Sequence, residues 1–72
     1  MTLSLLKRGQ KGRIADILHS SLKIDALRFG ITVGQTIECI EVVPAGPVVI
    51  RKNHQEIAIG RDLANVIHID LL

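Results

Sequence analysis

At 72 residues the chain sits near the lower limit of what folds alone, since a domain of this size buries only about 60% of its extended-chain surface, and it has room for one domain, 1–72. Eleven Ile, nine Leu, six Val and five Ala, with single Met, Phe and Cys, make 47% of it hydrophobic, which excludes a disordered tail, while one Cys excludes an intrachain disulfide and leaves aliphatic packing as the means of stability. A formal net charge of +2 is weak for a dedicated nucleic-acid binder, and with no Tyr or Trp and one Phe the chain lacks the aromatic surfaces that stack bases or grip proline-rich peptides.

Period-two alternation dominates the sequence, with dense punctuation between the runs. The segment Arg13 to Leu18 reads as a first strand, with Ile14 and Leu18 on one face and Ala15 and Ile17 on the other. Gly9 and Gly12 precede it, at places where a positive φ or a close backbone approach is expected. A helix of about ten residues follows. Ser20 or Ser21 is its expected cap, Leu22, Ala26 and Phe29 form the inward stripe flanked by Ile24 and Leu27, and Gly30 is the C′ residue. Lys23, Asp25 and Arg28 then face water.

Beyond Gly34, Gln35 to Val43 reads as a strand whose apolar phase shifts from Ile37 and Cys39 to Ile40 and Val42, the mark of a β-bulge near Cys39 or a barrel corner. Pro44, Ala45, Gly46 and Pro47 make a turn that no regular ladder can cross. Val48 to Lys52 and Gln55 to Ile59 form a hairpin across Asn53 and His54, with Asn supplying positive φ. Asp62 is placed to cap one helical turn through Leu63 and Ala64. The last strand, Val66 to Leu71, points Ile67, Ile69 and Leu71 inward. Five short strands and one helix in so short a chain favour a closed or nearly closed small barrel, because closure removes exposed edges.

Chemistry-bearing residues are sparse. His19, His54 and His68, with Cys39, Asp16, Asp62 and Asp70, are the metal-ligand candidates, but no pair has helical i, i+3 or i, i+4 histidine spacing and there is no CxxC or HExxH. The bland assignment is His54 in a turn, His68 on a solvent-facing strand position and Cys39 as a small core residue. No catalytic constellation is visible, and an aliphatic interior of this size leaves little room for a substrate cleft. Lys7, Arg8, Lys11 and Arg13 resemble the basic Gly-containing loop of KOW-type ribosomal barrels, or are simply solvated charges at a tight turn. No apolar run approaches the roughly 18 residues of a membrane span, and no secretory signal pattern opens the chain, so a soluble, cytoplasmic protein is expected.

The order of landmarks resembles the FeoA family, small proteins that accompany bacterial ferrous iron transport and whose domain also ends some iron-dependent repressors. The likeness lies in Leu5, Leu6, Gly9 and Gly12 before Arg13, Ile14 and Ile17; in Leu27, Arg28, Phe29, Gly30 and Ile31 closing the helix; and in Gly34 before Ile37. It continues through Pro44 to Pro47, Val49 and Ile50, then Ile57, Ala58 and Ile59 with Leu63 and Ala64, so that it spans residues 3 to 69. Phe29 stands where the family has Leu and is expected to fill the same core volume; Val33 stands where Pro is usual, and Asp25 and Ala26 break a basic pattern that Lys23 keeps.

The resemblance implies an all-β, SH3-like barrel with an inserted helix and a non-enzymatic accessory role on the FeoB ferrous iron permease, at the inner face of the membrane and without inserting into it. It implies no required cofactor, although weak transition-metal binding is attributed to the family, and it leaves self-association open. Lys23, Leu27, Arg28 and Gly30 are the expected partner-binding residues, an apolar group beside a basic pair; the alternative for Leu27 is that it faces the barrel. Alternative functions are a KOW-like RNA contact, although nucleic acid is not the expected partner, and a metal-sensing domain like that of the repressors. Met1 and the full landmark set favour a free-standing chain over the latter.

Overall fold

The computed structural model describes all 72 residues. In chain order it consists of a 3₁₀ turn (Leu3–Leu5), β1 (Lys11–Ile17), α1 (Ser20–Arg28), β2 (Thr36–Val42), β3 (Val48–Lys52), β4 (Gln55–Ile59), α2 (Arg61–Ala64) and β5 (Ile67–Leu71). The strands form one antiparallel sheet in the order β4-β3-β2-β1-β5, curled around a core of fifteen buried residues, nearly all Ile, Leu, Val and Ala. The curl is barrel-like, but β4 and β5 do not pair, so two strand edges remain.

Two bulges produce the curvature. In β1, Ile14 pairs with Ile69 and Asp16 with His68, leaving Ala15 as the extra residue. The phase therefore shifts, and Ile14 and Ile17, three positions apart, both enter the core. This corrects the simple alternation read from sequence: Ile17 is inward, not opposite Ile14, and Leu18 is exposed beyond the strand end. In β2 the same device recurs where it was expected. Cys39 pairs with Ile50 and Glu41 with Val49, so Ile40 is the extra residue and the inward set passes from Cys39 to Val42.

The hairpin matches its sequence signal residue for residue, with Lys52 opposite Gln55 and Asn53 at φ 56°. Gly9 takes φ +87°, and its N–H donates to Cys39 O at 2.8 Å while Cys39 N–H donates to Gln10 O at 2.8 Å, so the loop before β1 extends the sheet. Gly12 is needed for a different reason. A Cβ there would overlap Ile69 Cγ2 and lie 3.3 Å from Asp70 O, because β5 crosses β1 at this point with no room for a side chain.

Three sequence-based placements at the ends of elements are revised. α1 begins at Ser20, but His19 is its N-cap and no side chain caps it; the first bond is Lys23 N–H to His19 O at 2.7 Å. Gly60, not Asp62, precedes α2 as its N-cap, and Asp62 lies in its first turn. Leu71 is half exposed rather than inward, since the barrel wall ends at Ile69. Unanticipated from the sequence was the part played by the N-terminus: Leu3 and Leu6 are fully buried, and Thr2 forms a bridge to His68 beside β5.

Cys39 is fully buried among these aliphatic side chains, and its desolvation pushes the thiol pKa above the ordinary value. The folded chain therefore holds this proton to higher pH than the unfolded chain does, and stability is lost as pH rises through the unfolded thiol pKa. Unfolding in urea is expected to show a falling midpoint above about pH 8.5 that a Cys39→Ala variant lacks. Gly12→Ala is expected to destabilise by about 1–3 kcal/mol, read as a lower urea midpoint with an unchanged slope.

Candidate functional site

α1 is held at its C-terminus rather than along its length. Ile31 N–H donates to Ala26 O at 3.0 Å and Gly30 N–H to Leu27 O at 2.9 Å, a Schellman closure with Gly30 at φ +73° and the buried Ile31 beside the buried Ala26. Lys52, from the end of β3, donates from Nζ to Gly30 O at 2.7 Å. A cation on the last carbonyls suits the negative end of the helix. The positive φ calls for glycine at this position, whereas the 2.6 Å approach of a Cβ to that Nζ is one the flexible end of Lys52 can yield to.

Along the nine-residue helix Ala26 alone is buried, with Leu22 partly so. The rest of the expected inward stripe is outside: Phe29 is 49% exposed, Ile24 58% and Leu27 55%. Phe29 does not fill core volume, because the tight Gly30 turn carries Ile31 into that place instead. Leu27 does not face the barrel. It lies one turn from Lys23, which is also exposed, so these two residues share a surface with Ile24 at its side.

Arg28 is exposed and only loosely paired with Asp25, at 3.9 Å. It also borders an open groove of about 520 Å³ between α1 and α2, where Leu22, Asp25 and Phe29 face Arg61, Asp62 and Leu63. Gly30 is half-buried and serves the geometry of the helix end. Of the four expected partner-binding residues, the structure brings Lys23 and Leu27 together, puts Arg28 at the groove rim and makes Gly30 structural. Ile24 and Phe29, assigned to the core side from periodicity, are the surface residues that the sequence reading missed. The signal available was the width of the stripe: Leu22 and Ala26 are one i, i+4 pair, enough to seat a short helix on a small barrel.

Arg61 fixes the other wall of the groove. Its guanidinium donates from Nε to Gly46 O at 3.0 Å and from Nη2 to Val43 O at 2.8 Å, with Nη1 at 3.5 Å from Ser4 O. One side chain thereby ties α2 to the loop joining β2 and β3 and to the N-terminal turn. Arg61→Met is expected to lower stability by about 1–3 kcal/mol through the loss of these charge-assisted hydrogen bonds, although Val43 O keeps the Gly46 N–H at 2.8 Å; the loss is measured as a lower thermal midpoint by circular dichroism.

The metal-ligand candidates are scattered. His19 stands before α1, His54 in the hairpin turn and His68, half-buried, on β5 opposite Asp16. No three His, Cys, Asp or Glu side chains form a group able to hold a metal ion. Lys7, Arg8, Lys11 and Arg13 are all exposed, on the loop and strand whose cross-strand neighbours include Glu38 and Asp70.

A small curled sheet with a helix between its first two strands and a short helix before the last defines the SH3-like class of barrels, here with an apolar and basic helix face outward. The FeoA domain model matches residues 1–71, and the chain belongs to the FeoA family, which is linked to ferrous iron transport. Among solved structures it is similar to an iron uptake regulatory protein, FeoA, at 32% identity and TM-score 0.92, over 100% of this chain and 97% of that one. It is also similar to iron(II) transport protein A from Clostridium thermocellum, at 26% identity and TM-score 0.89, over 100% of this chain and 46% of that one.

ScaR, solved with bound Zn²⁺, shares the fold at 22% identity and TM-score 0.89, with this chain spanning 37% of it. Comparison with curated proteins finds no match. No helix is long and apolar enough to cross a membrane.

Proposed function

We propose that this protein is an accessory component of ferrous iron transport that docks on the cytoplasmic part of the FeoB-type permease, modulates its GTPase or assembly, and does so through the outer face of α1. The observation that carries the reading, beside family membership, is that the helix gives the core one fully buried side chain while Ile24 and Leu27 stay more than half exposed next to Lys23 and Arg28. A helix that contributes so little to the core is retained for what its other face meets. Apolar side chains flanked by cations suit an acidic, partly apolar protein surface.

The membrane association follows from the permease, so the working site is the cytoplasmic face of the membrane. Leu27→Asp places a carboxylate at the centre of this face without touching a core contact. It is expected to keep the circular dichroism spectrum and to lower the thermal midpoint only slightly, because a carboxylate in the last turn opposes the helix dipole. Binding to the FeoB cytoplasmic domain is expected to weaken at least about tenfold, or 1.4 kcal/mol, measured by isothermal titration calorimetry. Unchanged affinity would remove the surface; no binding by the wild type would remove the partner.

A further inference from the structure

The two edges of the sheet are treated differently by the chain. Beside β5, Met1 O accepts from Ile69 N–H at 2.7 Å, the terminal ammonium lies 3.3 Å from Ile69 O, and Thr2 bridges to His68. The N-terminus thus acts as a partial sixth strand. Along β4 nothing does so. The register places Gln55, Ile57 and Ile59 in hydrogen-bonded pairs with Lys52, Ile50 and Val48 across the two-residue turn. Glu56 and Ala58 therefore point their backbone N–H and C=O groups away from β3, and no other backbone or side-chain group of the protein bonds them.

An unpaired edge of this kind is usually blunted by Pro, Lys, a bulge or a covering segment. β4 has none of these, and its single charge, Glu56, is neutralised by Arg51 at 2.8 Å on β3. Ile57, between the two outward-bonding residues, is left half-buried. We propose that β4 is a self-association edge, pairing antiparallel with β4 of a second copy about a two-fold axis at Ile57.

The choice of a second copy and of this register follows from the residues. With Ile57 on the axis, Glu56 stands opposite Ala58 of the second copy, and the reciprocal pair does the same, so that all the free N–H and C=O groups of Glu56 and Ala58 are satisfied at once. The two Ile57 side chains meet at the centre, in the closer, non-hydrogen-bonded spacing. A register centred on Glu56 would instead set two carboxylates against each other, which is unfavourable. The two-fold pairing uses the same edge of both copies, and the N-terminus already occupies Ile69 and His68 on the other edge, so the pairing closes as a dimer instead of running on into a fibre. The edge is short, so the dimer is a weak one, dissociating on dilution. None of Lys23, Leu27 and Arg28 takes part, so this inference stands apart from the docking reading.

The register makes a signed prediction. Ala58→Glu sets a carboxylate opposite Glu56 of the second copy twice over and is expected to weaken dimerisation roughly fivefold; Ala58→Lys sets an ammonium there and is expected to strengthen it by a similar factor. Position 58 is exposed on the outer face of the strand, and circular dichroism checks that both variants fold. Sedimentation equilibrium across a dilution series gives the dissociation constants, and amide hydrogen exchange at Glu56 and Ala58 is expected to slow as wild-type concentration rises. A wild type that stays monomeric up to millimolar concentration, or association that moves in the same direction in both variants, would overturn the proposal.

Discussion

The curvature of one narrow sheet is the constraint on which the rest of the molecule depends. A chain with a core of fifteen buried hydrophobic residues and no disulfide must enclose nearly all of its aliphatic surface to fold. A flat sheet of five strands would leave one face wet. The extra residues at Ala15 and Ile40 bend the two central strands, so that the sheet wraps its own inner face and Ile14, Ile17, Ile37 and Cys39 meet β5 and β3 from the same side. Gly12 is the complement of this bend, the point where β5 comes close enough to exclude a side chain.

Once the sheet encloses its core, the helix between β1 and β2 has little left to cover. That accounts for its sparse burial and for its anchoring at one end, by the Gly30 turn and Lys52. Rigidity at the C-terminus and exposure along the outer face are properties of a presented helix. The same economy operates around α2, where Arg61 joins three segments through their carbonyls and stiffens the wall of the groove opposite Phe29. The side chains left free to make contacts are thereby displaced to the outside of the barrel.

The hairpin, the bulge near Cys39, the positive φ at Gly9, Gly30 and Asn53 and the five-strand count were readable from local chemistry, because each rests on neighbours within a few residues. The second bulge was not. Ala15 looks like an ordinary alternating position, and only its pairing with β5, more than fifty residues away in sequence, reveals that it is skipped. Phe29 and Leu71 were misplaced for a related reason: hydrophobicity assigns them to the core, but the barrel is already full at Ile31 and Ile69. For the site, Lys23 and Leu27 were legible as a basic and apolar pair on one helix turn, whereas the groove with Arg61 and Leu63 joins elements about forty residues apart and has no local signature.

Composition and punctuation alone were enough to establish a small aliphatic β-fold with one helix, because alternation, glycine and proline act on the backbone where they stand. Tertiary structure decided which apolar residues remain outside and which sheet edge remains open. Both are set by how many side chains fit within the curve of the sheet and by where the N-terminal segment lies down, against β5 and away from β4, and these are quantities of volume and pairing that no run of residues carries by itself.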